Sequence, residues 1–276
     1  MPQIGFVQGR LSPLINGRIQ AFPVAYWLDE LSHASKHNFT LIEWTVDYLT
    51  FQKNALLIDF DSCAHALRKN GLRVNSLTCD FIMEKPFYRC KKSEKDRLLH
   101  DLRQVIHSTG KLKQNTILVI PLVDNGALKN KNEENIVLSV VESLYPLLKH
   151  YGLKIAFESN YPPERLRTFI MRFNSTFVGV NYDMGNSASL GFCAKNEIKC
   201  YGEHIINVHV KDKLHKGVSV PLGKGDVDFN AVFSTLKDVG YQGDFILQTA
   251  RCTDSQHAEA LVKYRDLIST YLNNYF

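Results

Sequence analysis

Residues 154–183 read KIAFESNYPPERLRTFIMRFNSTFVGVNYD: two short apolar runs, each carrying a carboxylate near its end, Glu158 and Asp183, with an amphipathic stretch near 162–173 between them. An apolar run, a helical pattern and a second apolar run make one strand–helix–strand unit. Neither run alternates cleanly between apolar and polar residues. That is the pattern of strands covered by helices on both faces, as in a parallel sheet.

The same alternation recurs along the whole chain. Candidate strands are IGFVQ (4–8), LIEWTV (41–46), VNSLTC (74–79), TILVIP (116–121), KIAFES (154–159), FVGVNYD (177–183), IINVHV (205–210) and DFILQT (244–249). Helical patterns lie near 25–37, 56–70, 94–110, 132–150, 162–173, 196–203, 229–239 and 255–273. Eight repeats in 276 residues leave about 34 residues per unit, the size of a unit in a (β/α)8 barrel. Gly71, Gly110, Gly152 and Gly240 follow four of the helical patterns, where a residue with positive φ is expected. No Pro/Gly/Ser-rich linker divides the chain, so residues 1–276 are expected to form one α/β domain, a (β/α)8 TIM barrel. A doubly wound open sheet is the alternative, and QGRLSP stands where its GxGxxG turn would follow the first strand.

Composition excludes several classes. Hydrophobic residues make up 45% and charged residues 22%, the balance of a globular chain and not of a disordered one. No run of eighteen apolar residues occurs, so no membrane partner is expected. The opening MPQIGFVQGRLSP lacks a basic segment followed by an apolar one, so no secretory signal is read and a cytoplasmic location is expected. Six cysteines without CxxC spacing read as free thiols. A net charge of +5, spread among acids, does not indicate nucleic acid.

In a barrel the chemistry lies at the carboxyl ends of the strands. The polar residues there are Gln8, Glu43, Asp80, Glu158, Asp183, His209 and Gln248. Glu158, Asp183, His209 and Gln248 end four consecutive strands and would converge on one side of the mouth. Two carboxylates, an imidazole and an amide oxygen, without a thiolate, suit Mn²⁺ or Mg²⁺ and also admit Co²⁺ or Zn²⁺. Bland readings stand beside this one: Asp183 before MGN suits an Asx-turn, and Asn186 suits a helix N-cap. Further candidates for substrate contact are Arg10, Glu43, Lys211, Asp212 and Arg251. Arg10 and Arg251 would be neighbours on closure, where two guanidiniums can hold a phosphate or carboxylate. Trp44 and Phe81 read as core.

The segments IAFESN, VNYDMGN, NVHVKD, PLGKGDVDF and GYQGDFILQ, in this order and spacing, resemble the xylose-isomerase-like barrel superfamily of sugar-phosphate isomerases and epimerases. GFVQGRLSP and FTLIEWTVD look like its first two strands, and the resemblance covers essentially the whole chain. It implies Glu158, Asp183 and His209 as metal ligands, with Gln248 where the family has a glutamate. In ketose 3-epimerases of the family the first and last glutamates act as opposed acid and base. An amide has no carboxylate pKa, so the implied chemistry moves toward a one-base isomerisation with Glu158 as the base. A neutral residue at 248 also favours anionic substrates. At Asn186 many relatives carry histidine, which changes a contact near the site. The glycines of PLGKGDVDF are expected to let backbone approach the site.

The leading expectation is a metal-dependent isomerase or epimerase of a sugar or sugar phosphate, acting through an enediolate, with a homo-oligomer possible. Alternatives are a keto-sugar or inositol dehydratase, and a non-catalytic barrel binding a sugar or protein. An endonuclease-IV-type nuclease would need several histidines, whereas His209 alone of the ten falls on a strand end.

Overall fold

The computed structural model describes residues 2–15, 17–252 and 256–276. Its barrel strands are β1 (Ile4–Val7), β2 (Leu41–Thr45), β3 (Arg73–Thr78), β4 (Ile117–Leu122), β5 (Lys154–Ser159), β6 (Val178–Asp183) and β7 (Ile205–Val210). A two-stranded hairpin, β8 (Asp212–Lys213) and β9 (Ser219–Val220), rises from the end of β7, and β10 (Phe245–Leu247) completes the ring. The closed order is β1-β10-β7-β6-β5-β4-β3-β2, with neighbouring strands parallel throughout. This is the single-domain TIM barrel that the eight repeats imply. Strands β2 and β6 are buried along their whole length, which explains why neither alternates cleanly between apolar and polar residues.

The helices follow the expected pattern, apart from one that divides and two short ones not expected, Asp80–Glu84 and Met184–Leu190. The stretch 56–70 divides into Ala55–Ile58 and Phe60–Lys69, because Asp59 turns and caps the second piece at Ser62 N. A short helix, Met184–Leu190, precedes Ala194–Tyr201 and was not expected, since MGNSASL presents no apolar stripe; it is nucleated by Asp183, whose side chain accepts from Asn186 N. The last helix is described over His257–Tyr275, and residue 255 of the expected span lies outside the described residues.

One contiguous core joins the barrel to its helices. Trp44 and Phe81 belong to it, both fully buried. The Trp44 ring packs on Phe22 and Trp27, and its Nε1 donates to Asn54 Oδ1 at 2.9 Å. Asn54 in turn donates to the Thr45 carbonyl at 2.9 Å, so the buried polar atoms of this pair are satisfied.

The loop PLGKGDVDF departs from expectation. Asp212, fully buried, accepts from the backbone N–H groups of Gly223 (2.8 Å), Gly225 (2.9 Å) and Val227 (3.3 Å). A Cβ on Gly225 would fall on the Asp212 carboxylate, so this glycine admits Asp212 and not a ligand.

Gly71, Gly152 and Gly240 have positive φ as expected, but Gly110 is the helical last residue of Lys92–Gly110. Its requirement is close approach: a Cβ there would lie 2.7 Å from Tyr151 Cβ and inside the Tyr151 ring, at the end of the helix Lys131–Tyr151. Gly110→Ala is therefore expected to destabilise the fold by about 1–3 kcal/mol, despite the roughly 1 kcal/mol by which alanine favours a helix. Denaturant midpoints check this, and Tyr151→Ala should cost less in the Gly110→Ala background than alone. An unchanged midpoint for Gly110→Ala would mean that Tyr151 moves aside freely.

Candidate active site

The carboxyl ends of β5, β6 and β7 bring Glu158, Asp183 and His209 together, each offering one ligand atom, with these atoms within 4.8 Å of one another. Register does this: Asp183 lies beside His209 on adjacent strands, and Asn181 beside Asn207 two residues earlier on the same faces. All three side chains are buried.

His209 is held from one side by Glu43. The imidazole Nε2 lies 2.8 Å from Glu43 Oε1 and, since a carboxylate can only accept, carries the hydrogen. Asn207 Nδ2 donates to Glu43 Oε2 (3.2 Å) and to Asn181 Oδ1 (2.8 Å), and Asn181 Nδ2 donates to Glu158 Oε2 (2.9 Å). His209 Nδ1 faces that Glu158 oxygen at 3.3 Å and Asn181 Nδ2 at 3.0 Å, which closes a buried ring of five polar side chains. Burial alone would lower the imidazole pKa, but the Glu43 charge and hydrogen bonds to Glu158 and Glu43 outweigh it and raise it to about 10. The same carboxylates make the Nδ1 side a place where a cation, proton or metal, is favoured. The cluster can bind a metal, and its nitrogen and oxygen donors fit a divalent ion.

The remaining oxygens are committed as well. Glu158 Oε1 accepts from Asn186 Nδ2 at 2.6 Å, so Asn186 touches the site and is not the helix cap. The cap is Asp183, whose Oδ1 accepts from Asn186 N at 2.8 Å while Oδ2 lies 3.3 Å from Lys211 Nζ. Gln248 stands one residue beyond β10, its backbone N–H on the Val210 carbonyl at 2.9 Å. The cation that its amide oxygen meets is Lys211, at 2.9 Å. Gln248 Nε2 donates to Gln20 Oε1 (3.2 Å), and Gln20 Nε2 donates to Asp80 Oδ2 (2.7 Å), which carries the chain of hydrogen bonds across to β3.

A cavity of about 380 Å³ opens above these residues, lined by Arg10, Asn186, Lys211 and Gln248 together with Glu158. Among the expected contacts, Glu43, Asp212 and Arg251 lie outside that lining. Glu43 is sealed against His209, and Asp212 organises its own loop. Residues not anticipated as part of the site are Asn181, Asn207, Gln20, Arg18 and Lys213. Asn181 and Asn207 did carry a signal: each sits two residues before a strand-end donor, hence on the same face of its strand.

The family model described as xylose isomerase-like TIM barrel matches residues 31–266. The chain belongs to that family. Among curated relatives, L-ribulose-5-phosphate 3-epimerase UlaE of Escherichia coli O1:K1 / APEC is 35% identical over 98 residues, 35% of this chain and 34% of the relative. An uncharacterized protein of Methanocaldococcus jannaschii is 25% identical over 146 residues, 49% of this chain and 47% of the relative. The matches thus span between a third and a half of those relatives' lengths. Solved structures that cover 99% of this chain include an L-ribulose 3-epimerase (TM-score 0.78, 19% identity, 95% of that chain) and the IOLI protein with a binding zinc atom (TM-score 0.76, 16% identity, 99% of that chain). At these identities they establish the barrel alone.

Arg10 and Arg251 lie near each other, as strand adjacency implies: burial, and next the Arg251 charge, lower Arg10 to about 10. Both are engaged with backbone: Arg10 donates to the carbonyls of Thr249 and Ile19, each at 3.0 Å, and Arg251 to that of Ser12. They fasten the segment after β1 to the segment after β10. Beneath them Glu30, fully buried, accepts from Gly9 N (2.8 Å) and Leu11 N (2.9 Å).

Burial lifts the Glu30 carboxyl from 4.5 to about 7, against the backbone donors and the two arginines. With the folded pKa above the unfolded one, the folded chain keeps a proton that the unfolded chain has released. That stabilisation is full at low pH and is lost as pH rises through 7. Glu30→Gln does not titrate, so its stability relative to the natural chain is expected to rise by about 3 kcal/mol between pH 4.5 and 8. Urea titrations at both pH values measure this, and a constant difference would mean that Glu30 is ionised throughout.

Proposed function

We propose that the protein is a divalent-metal-dependent isomerase or epimerase of a sugar or sugar phosphate, with Glu158 as its base. The observation that carries this reading is the buried Glu158–Asp183–His209 cluster, whose Glu158 lines a cavity that Arg10, Lys211 and Lys213 also line. The family and the 3-epimerase activity named for the Escherichia coli relative support it.

Glu158, Asp183 and His209 would hold the ion, and Gln248 offers its amide oxygen only by sharing it with Lys211. The oxygen-rich set favours Mn²⁺ or Mg²⁺ and admits Co²⁺ or Zn²⁺. When bound, such an ion polarises a substrate oxygen and acidifies the neighbouring C–H. Glu158 takes that proton. Its two oxygens are fixed by the amides of Asn186 and Asn181, so the base meets the carbon in one orientation. Lys211, Lys213 and Arg10 supply positive charge for an anionic substituent, which makes a ketose phosphate the substrate class of choice.

Protein equilibrated with Mn²⁺ and freed of excess ion is expected to retain about one ion per chain, and His209→Ala to retain none. Glu43→Gln removes a partner of the ligand, not a ligand, and is expected to weaken Mn²⁺ binding by about 10–100-fold. Titration calorimetry reads this directly. With L-ribulose 5-phosphate as the probe substrate, Glu158→Gln is expected to lower turnover by about 10²–10⁴-fold. Full turnover in that variant removes Glu158 from the mechanism, and absence of metal from the natural chain turns the reading toward a binding barrel.

A further inference from the structure

Inversion at a carbon beside a carbonyl needs a proton removed from one face and another delivered to the opposite face, so one base is not enough for an epimerase. The cavity holds four carboxylates: Asp80, Glu84, Asp124 and Glu158. Glu158 is in the ligand cluster, Glu84 is ion-paired to Arg18 and accepts from Tyr48 N, and Asp124 is exposed to solvent. Asp80 differs from all of them. It is buried, and its oxygens accept from two neutral donors, Thr78 Oγ1 (2.6 Å) and Gln20 Nε2 (2.7 Å). Among the described residues it has no ion-pair partner within 4.0 Å.

We propose that Asp80 is the second acid–base residue of this site, working on the face of the substrate carbon opposite Glu158. The proposal rests on the epimerase reading above. Burial raises the Asp80 carboxyl from 3.8 to about 6, the donors Thr78 and Gln20 lower it, and the Glu84 and Asp47 charges raise it again. A group of that acidity is available in both protonation states near neutral pH.

Gln248 fits this arrangement. Its amide N–H is accepted by Gln20 Oε1, which leaves the Gln20 amide N–H turned toward Asp80. A carboxylate at 248 would face that oxygen without a hydrogen, and turning Gln20 to suit it would take the donor away from Asp80. The neutral residue at 248 and the carboxyl at 80 are thus parts of one hydrogen-bonded set.

The step balances without a redox partner. The Glu158 carboxylate removes the carbon-bound proton, and the electron pair moves into the carbonyl oxygen to give an enediolate. The Asp80 carboxylic acid then delivers its proton to the other face as the pair returns. One C–H bond breaks and one forms; Glu158 ends protonated, Asp80 ionised, and both re-equilibrate with water after release.

The test follows L-ribulose 5-phosphate in D₂O by ¹H NMR, with Mn²⁺-loaded protein and the variants Asp80→Asn and Asp80→Glu. Asp80→Asn is expected to lose inversion by at least about 100-fold while Glu158 still exchanges deuterium into the unreacted ketose within a few-fold of the natural rate. Asp80→Glu keeps an acid and should recover part of the inversion. Exchange without inversion also shows that the variant is folded. Inversion at the natural rate in Asp80→Asn, or equal loss of exchange and inversion, overturns the proposal. Absence of both from the natural protein overturns the epimerase reading beneath it, so the two failures are distinct.

Discussion

Everything at the mouth of this barrel depends on the ion pair between Glu43 and His209, two fully buried groups brought to 2.8 Å from β2 and β7. A lone buried carboxylate is costly, and so is a lone imidazolium; each relieves the other only if held in register. The barrel provides that register, because a closed ring fixes what each strand places across the interior. Asn181 and Asn207 then divide their amide hydrogens among Glu43, Glu158 and Asn181 Oδ1, while His209 Nδ1 faces Glu158.

The strands and the gathering of Glu158, Asp183 and His209 were legible in the sequence for the same reason. Burial on both faces forces long apolar runs, and a polar residue ending such a run stands out, as Glu158, Asp183 and His209 do. What lay outside local pattern was not legible. Glu43 was visible as a strand-end acid, but its partner lies 166 residues away and is set only by barrel closure. Asn181 and Asn207 share a strand face with Asp183 and His209, a weak signal, but which partners their amides meet is set across strands. Asp212 reads as a pocket acid until the loop glycines fold back onto it.

The glutamine at 248 changes the balance of charge more than it changes shape. Three buried carboxylates, Glu43, Glu158 and Asp183, share one imidazole and one ammonium, that of Lys211. A fourth carboxylate at 248 would compete for Lys211. With an amide there, Lys211 bridges Asp183 and Gln248 and keeps its positive charge at the edge of the cavity. The floor stays negative, and the positive charge nearest to it is that of Lys211.

That separation bears on which ligands the cavity can admit. A neutral polyol meets the negative floor through its hydroxyls but offers nothing to Lys211, Lys213 and Arg10. A free anion such as phosphate satisfies the wall and is repelled from the floor unless a cation is held there. A molecule with vicinal oxygens at one end and an anionic group at the other answers both, and its length is then fixed by the distance between floor and wall. Discrimination among such molecules would therefore fall to the side chains between the two, where Asn186 links Glu158 to Lys213 and Gln20 links Gln248 to Asp80. An amide can turn to present oxygen or nitrogen to a hydroxyl, but each turn here disconnects a neighbour. The stereochemistry of such a ligand would accordingly be read by the whole hydrogen-bonded set and not by any one contact.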